Sequence, residues 1–304
     1  MTVTTTRQPG AARAARWSDG LAAGSLGVLC FSGTFPATRL AAPVFGAAVV
    51  TFARIVIAAV LGLLALLLTR QLRFPGRQHL AGLVVTGLGL AVGFPLFLAL
   101  AVEHVPASHA AVVVGLTPAG TALVAVLRTA ERPGPLFWAG CALGLAAVLF
   151  FTVSQGGGRL ALADVWLFAA VLSSSIGYVE GGRVSREVGS TPLLCWAMLV
   201  LAPFAAVGLV VSLALHPIGA IPLGAWAGFW YVGIVSMFLG AVVWYRGLAR
   251  GGTARIGQLN LVQPLLALAW SALLLHEHVT WTVGATAAVV VLSVALCVNS
   301  RARG

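Results

Sequence analysis

Polar residues are so sparse along this chain that they serve as punctuation between long apolar runs. A membrane crossing needs about 20 mostly apolar residues to span about 30 Å of hydrocarbon. Ten runs meet that length: 20–38, 44–69, 80–102, 109–127, 135–153, 161–181, 191–214, 224–249, 255–275 and 280–299. The gaps between them are short and leave no room for an inserted soluble domain. The pattern predicts an all-α polytopic membrane protein of ten transmembrane helices. The first run is read as a membrane helix and not as a cleaved leader, because the following helices need an anchor of that orientation.

The chain also carries one stretch twice. FLALAVEHVPASHAAVVVGLTPAGTALVAVLRTAE (97–131) aligns without a gap to VWYRGLARGGTARIGQLNLVQPLLALAWSALLLHE (243–277). Pro118 and Pro264 are 146 residues apart, as are Glu131 and Glu277. A repeat of this length marks the unit of architecture. Five crossings per half is an odd number, so the second half enters the membrane from the opposite side, which makes an inverted repeat of the secondary-transporter kind. The division is a tail at 1–19, a first five-helix repeat at 20–154, a linker at 155–160, a second repeat at 161–299 and a tail at 300–304.

Composition agrees with a lipid solvent. Of 304 residues 60% are hydrophobic and only 8% are charged, and the mean hydropathy is +1.02. The net charge of +11 comes from eighteen arginines and no lysine. In a soluble domain that excess would suggest nucleic acid. Here the arginines fill the gaps between runs, and no nucleic-acid partner is expected. With the N-terminus placed in the cytoplasm, fifteen arginines fall on the cytoplasmic side and only Arg39 and Arg159 outside. Both termini are therefore expected to be cytoplasmic. Trp17, Trp138, Trp166, Trp226 and Trp281 stand near run ends, as an interfacial belt would have them. Glycine pairs four apart (Gly20/Gly24, Gly89/Gly93, Gly140/Gly144, Gly224/Gly228) suit close helix packing.

Candidate chemistry is confined to a few positions. Arg54 lies inside the second run, where a charge is costly and implies a function by default. Its planar fork suits a substrate carboxylate. The alternative is a structural arginine satisfied by carbonyls or by Glu180. Pro118 and Pro264 each remove a backbone donor in mid-run, freeing the carbonyls of Val114 and Asn260 toward a central cavity or toward neighbouring helices. Ser173, Ser174, Ser175, Tyr178, Tyr245, Gln258, Asn260 and Gln263 place hydroxyls and amides inside spans, where they line a polar path or bond between helices.

Glu103, His104 and His109 gather at the predicted outer mouth, as a proton site or as solvated and capping groups. No acid falls at mid-membrane. His276, Glu277 and His278 do not have a metal spacing on a helix, and no metal or cofactor is expected. The four cysteines lie singly and read as small buried hydrophobes. There is no GxSxG, HExxH, Walker or dinucleotide motif, so an enzyme is not expected and transport would run on gradients.

The proline–glutamate stretches, with the following RPGPLFWAGCALGLAAVLFF and TWTVGATAAVVV and with Arg54 in TFARIVIAA, resemble EamA-type transporters of the drug/metabolite transporter superfamily. The resemblance covers about residues 20–299. It implies ten helices in two inverted halves and export of amino acids or other small metabolites from a bacterial inner (cell) membrane. Family copies usually carry glycine before the repeat-end glutamate, where this chain has Ala130 and His276.

The expected function is a secondary exporter of small metabolites, amino acids or related compounds, working by alternating access. Its partners are a small-molecule substrate and the lipid bilayer, with a homodimer left open. Efflux of drugs or organic cations on the same fold is the alternative, with a membrane-embedded enzyme or non-transporting scaffold as the reading of another class.

Overall fold

A computed structural model describes residues 9–129, 134–155, 160–215, 218–251, 256 and 258–301, with side chains except those of 9–17, 129, 251, 258 and 297–301. Among the described residues every regular element is helical. Eight apolar helical stretches are long enough to cross a membrane: Ser18–Phe45, Ala47–Leu68, Arg77–Val102, Ala107–Arg128, Pro135–Gln155, Leu162–Val188, Ser190–Leu215 and Leu223–Arg250. The ninth and tenth expected runs give shorter apolar helices among the described residues, Leu259–Leu275 and Trp281–Leu296.

Several stretches are compound. α1 (Pro9–Ser32) passes to α2 (Thr34–Phe45) at Gly33, and α3 (Ala47–Leu68) follows a turn at Gly46 with φ +81°, a backbone that glycine adopts without strain. α4 (Leu80–Gly87) and α5 (Phe94–Val102) are joined through Leu88–Gly93. α6 (Ala107–Val114) and α7 (Thr117–Thr129) are separated by Gly115 and Leu116. α8 (Pro135–Gln155), α9 (Leu162–Val188) and α10 (Ser190–Leu215) are continuous. α11 (Leu223–Trp230) reaches α12 (Gly240–Gly251) through Tyr231–Leu239. A short tight helix, Gln258–Val262, leads into α13 (Gln263–Leu275), and α14 (Trp281–Arg301) closes the chain.

α6 is the axis of the core, with all eight of its side chains buried. Around it pack Leu98 and Val102 of α5, Phe137 and Phe151 of α8, Leu167 of α9, and Val290 and Val294 of α14. α3 lies along α10, α8 along α14, α5 along α9 and α12 along α1. Lipid gives no hydrophobic drive between helices, so such contacts depend on how closely backbones approach. A Cβ on Gly89 would come within 2.8 Å of Gly177 Cα, and one on Gly247 within 2.6 Å of Gly24 N. By contrast α10 turns Phe204, Val207, Val210 and Val211 outward, as a lipid-facing helix does.

Candidate functional site

Two helical stretches widen where they pass the middle of the bundle. Phe94 N–H donates to Gly89 O, and Gly240 N–H donates to Val235 O, both five residues back instead of four. Such wide turns are frequent at functional sites because they displace side chains from the regular helical face. Here they present Leu90, Ser236, Met237 and Phe238 to a cavity enclosing about 970 Å³ including its mouth.

That cavity is a lobe lined also by Phe31, Thr34, Arg54, Thr86, Met198, Trp244 and Tyr245. A second lobe of about 530 Å³ is lined by Phe35, Thr117, Pro118, Ser174, Asn260 and Pro264. Phe94, Tyr178 and Gln263 line both, so the two lobes meet at those side chains. Together they offer concave, largely apolar walls with a few polar groups, as small-molecule sites do.

Arg54 is 3% exposed. Its Nη2 approaches only the Met237 sulfur, at 3.9 Å, and its Nε and Nη1 have no hydrogen-bond partner among the described residues. Thioether sulfur is a weak acceptor, so the guanidinium is a buried cation on a cavity-lining residue with most of its donors unused. The Thr86 hydroxyl on the same lobe is buried and without a partner as well. Glu180, the acid that might have neutralised Arg54, is committed elsewhere. Its Oε2 is 2.7 Å from Arg128 Nη1, and its Oε1 is 2.6 Å from Arg183 Nη2.

Both prolines line the second lobe, but neither sits in mid-helix. Pro118 and Pro264 occupy the first turns of α7 and α13, where a missing N–H costs nothing. The Val114 carbonyl, expected to be left free, accepts the Thr117 hydroxyl at 2.8 Å. Ser174 lines the lobe while its hydroxyl bonds to the carbonyls of Ala170 and Val171. The side chain of Gln258 lies outside the described residues.

Glu103, His104 and His109 do not form one cluster. His104 is exposed and its ring lies 5.6 Å from that of Trp166, and the Glu103 carbonyl accepts from Arg39 at 3.3 Å. His109 is buried on α6, its Nε2 2.7 Å from Asp164 Oδ1 on α9. Beside it, Glu277 accepts the backbone N–H groups of Ala107 and Ser108 at 2.8 and 2.9 Å, capping α6 from the far end of the chain. A carboxylate there satisfies two orphan donors and the positive helix end.

Thus polar ties join 20–154 to 161–299 at both ends of the bundle: Glu277 and His109–Asp164 at one, Arg128–Glu180 at the other. Sequence reasoning missed Thr86, the wide turns and the Glu277 cap. The run of glycines from Gly87 to Gly93 was the one available signal for the first wide turn.

Known proteins fit this geometry. The EamA-like transporter family model matches residues 19–153 and 161–299. A Bacillus subtilis (strain 168) protein named "Uncharacterized transporter YdeK" is 41% identical over 280 residues, covering 91% of this chain and 96% of that one. An Escherichia coli (strain K12) "Probable amino-acid metabolite efflux pump" is 27% identical, covering 65% of this chain and 70% of its own. A Streptantibioticus cattleyicolor "Probable terminal-alkyne amino-acid exporter" is 26% identical, covering 81% and 83%. One crystal structure matches with a TM-score of 0.60 at 21% identity, over 92% of this chain and 96% of the other, and so shares the fold. With both stretches matched over nearly their whole length, this multi-pass membrane protein belongs to the EamA-like transporter family.

Proposed function

We propose that the protein is a secondary transporter of a bacterial inner membrane that exports small carboxylate-bearing metabolites, amino acids or related compounds. The observation that carries this reading is Arg54: a buried guanidinium on a residue that lines the cavity, whose Nε and Nη1 have no hydrogen-bond partner among the described residues. A charge in that position is retained against a large desolvation cost, and a carboxylate ligand would supply the missing acceptor. The printed names of the more distant relatives, an amino-acid metabolite efflux pump and a terminal-alkyne amino-acid exporter, agree with such a substrate.

In this reading 20–154 and 161–299 are two inverted five-helix repeats. The ninth and tenth helices also cross the membrane, and the arginine distribution holds both termini in the cytoplasm. The pairings α3 with α10 and α8 with α14, together with α5 with α9 and α12 with α1, are those a two-fold exchange of the repeats would produce. Transport proceeds by rocking of one half against the other about the two-lobed chamber. Opening outward releases the Glu277 and His109–Asp164 ties, and opening inward releases Arg128–Glu180. Tyr178, Tyr245, Asn260 and Gln263 line the path.

Counterflow in proteoliposomes tests this. Vesicles preloaded with pooled unlabelled amino acids and amino-acid-derived acids are given trace labelled ones, and transient accumulation is expected with the wild type but not with Arg54→Gln. Accumulation that survives Arg54→Gln unchanged would refute the carboxylate site. Absence of accumulation for every pool would refute carboxylate export.

A further inference from the structure

We propose that the chamber selects amphipathic monoanions, carboxylates with an apolar body and no free ammonium, over zwitterions of the same skeleton, and that Thr86 is the second group of the carboxylate site. This rests on the reading of Arg54 given above and narrows its substrate class, ranking acids derived from amino acids ahead of the zwitterionic amino acids, which the chamber takes more weakly.

The inference comes from charge accounting over the chamber. Arg54 is a full positive charge on the larger lobe, and among the described residues no carboxylate lines either lobe. The other described acids are engaged at the ends of the bundle. Asp19 pairs with Arg250, Asp164 with His109, Glu180 with Arg128 and Arg183, and Glu187 with Arg183. Glu277 caps α6, and Glu103, whose backbone carbonyl accepts from Arg39, lines neither lobe. A net monoanion leaves the chamber neutral. A zwitterion would neutralise Arg54 and bring in a second cation with no acid to receive it, and a cation would add to the charge already there. Removing an ammonium from water without a charged partner is costly. The aromatic faces and amide oxygens that line the chamber compensate for it only in part.

The rest of the lining is consistent with one charged end. The lobe that Arg54 lines is walled mainly by Phe31, Leu90, Met198, Met237, Phe238 and Trp244, with uncharged polar groups such as Ser236 and Tyr245 between them, which suits an apolar or aromatic body. Thr86 is 1% exposed, lies on this lobe and has an unpartnered hydroxyl. A buried hydroxyl without a partner forfeits its hydration; those of Thr51 and Ser271 do so as well, but of the three only Thr86 lines this lobe. As a donor, it would serve the same carboxylate as Arg54.

The test uses full-length purified protein and three compounds that share a phenethyl skeleton: 3-phenylpropionate, phenylalanine and phenethylamine. Affinities are measured by equilibrium dialysis at pH 7.5. The expected order is acid, then zwitterion, then amine, with the acid binding about tenfold or more tightly than phenylalanine. Arg54→Gln weakens acid binding about 100-fold. Thr86→Val, nearly the same in shape, weakens acid binding several-fold while leaving phenethylamine unchanged, and Thr86→Ser restores it.

Phenylalanine binding as tightly as the acid, yet still lost in Arg54→Gln, overturns the monoanion preference and leaves the carboxylate reading standing. Binding of the acid that is indifferent to Arg54→Gln, or no binding of any of the three, overturns both. Normal acid affinity in Thr86→Val removes Thr86 from the site.

Discussion

Two of the regions that bury a charge in this bundle treat it oppositely. At the junction of α7 and α9 the Glu180 side chain is only 4% exposed, yet it accepts hydrogen bonds from Arg183 and is ion-paired with Arg128 at 2.7 Å, the two arginine side chains being 49% and 52% exposed. The acid is hidden, its partners stand half in solvent, and the junction is electrically complete. In the larger lobe Arg54 is equally hidden, but it meets a thioether and empty space. A buried ion pair needs no ligand, whereas a buried unpaired cation on a cavity wall is the arrangement on which the proposed carboxylate site rests. Depth of burial is therefore a poor guide to function, and partner satisfaction a better one.

The sharpest way to break the contrast is to make Glu180 resemble Arg54. Arg128→Ala with Arg183→Ala leaves a buried carboxylate uncompensated. It should destabilise the protein by about 3 kcal/mol, toward the low end for such a charge because both arginine heads are already partly solvated. Denaturation in detergent reads this, and an unchanged midpoint would deny the junction a structural role. The reverse change, Arg54→Gln, should lower carboxylate affinity about 100-fold, or about 2.7 kcal/mol. Without ligand it should raise thermal stability, since an unpaired charge is removed. A fall in ligand-free stability would mean that Arg54 is structural like Glu180.

Glu277 sharpens the comparison as a third solution, an acid neutralised by backbone N–H groups alone. Glu277→Ala uncaps α6 and should cost about 1–2 kcal/mol. The smallest effect concerns the neighbouring residue. His276 ends α13 with φ +55°, in the left-handed region that favours glycine. His276→Gly should stabilise by about 1 kcal/mol in the same denaturation assay.

Eight of the ten expected spans and the burial of Arg54 were legible in the sequence because each is a local signal: an apolar run, or a charge within one. The helix break near Pro118 was also legible, since proline cannot donate to the preceding turn, although the proline proved to start a helix and not to kink one. The wide turns at Leu88–Gly93 and Tyr231–Leu239 carry no such mark in the second copy. They reflect how closely the neighbouring helices approach, for example Gly89 on Gly177.

Partner identity was equally hidden. Glu180 was a candidate for Arg54 until the fold placed it against Arg128 and Arg183. Glu277 finds its donors 169 and 170 residues away. Thr86 looked like any threonine in an apolar run, because its importance lies in which wall of the chamber it faces. His276 was visible as a departure from glycine, but the strain it carries was not.

The most direct test of Arg54 as the substrate site is a ligand-bound structure of the full-length protein with 3-phenylpropionate or another carboxylate shown to bind. A carboxylate oxygen within about 3 Å of Arg54 Nε or Nη1 is the predicted result. Ligand seated only in the proline lobe, with those two nitrogens still unpartnered, would contradict it.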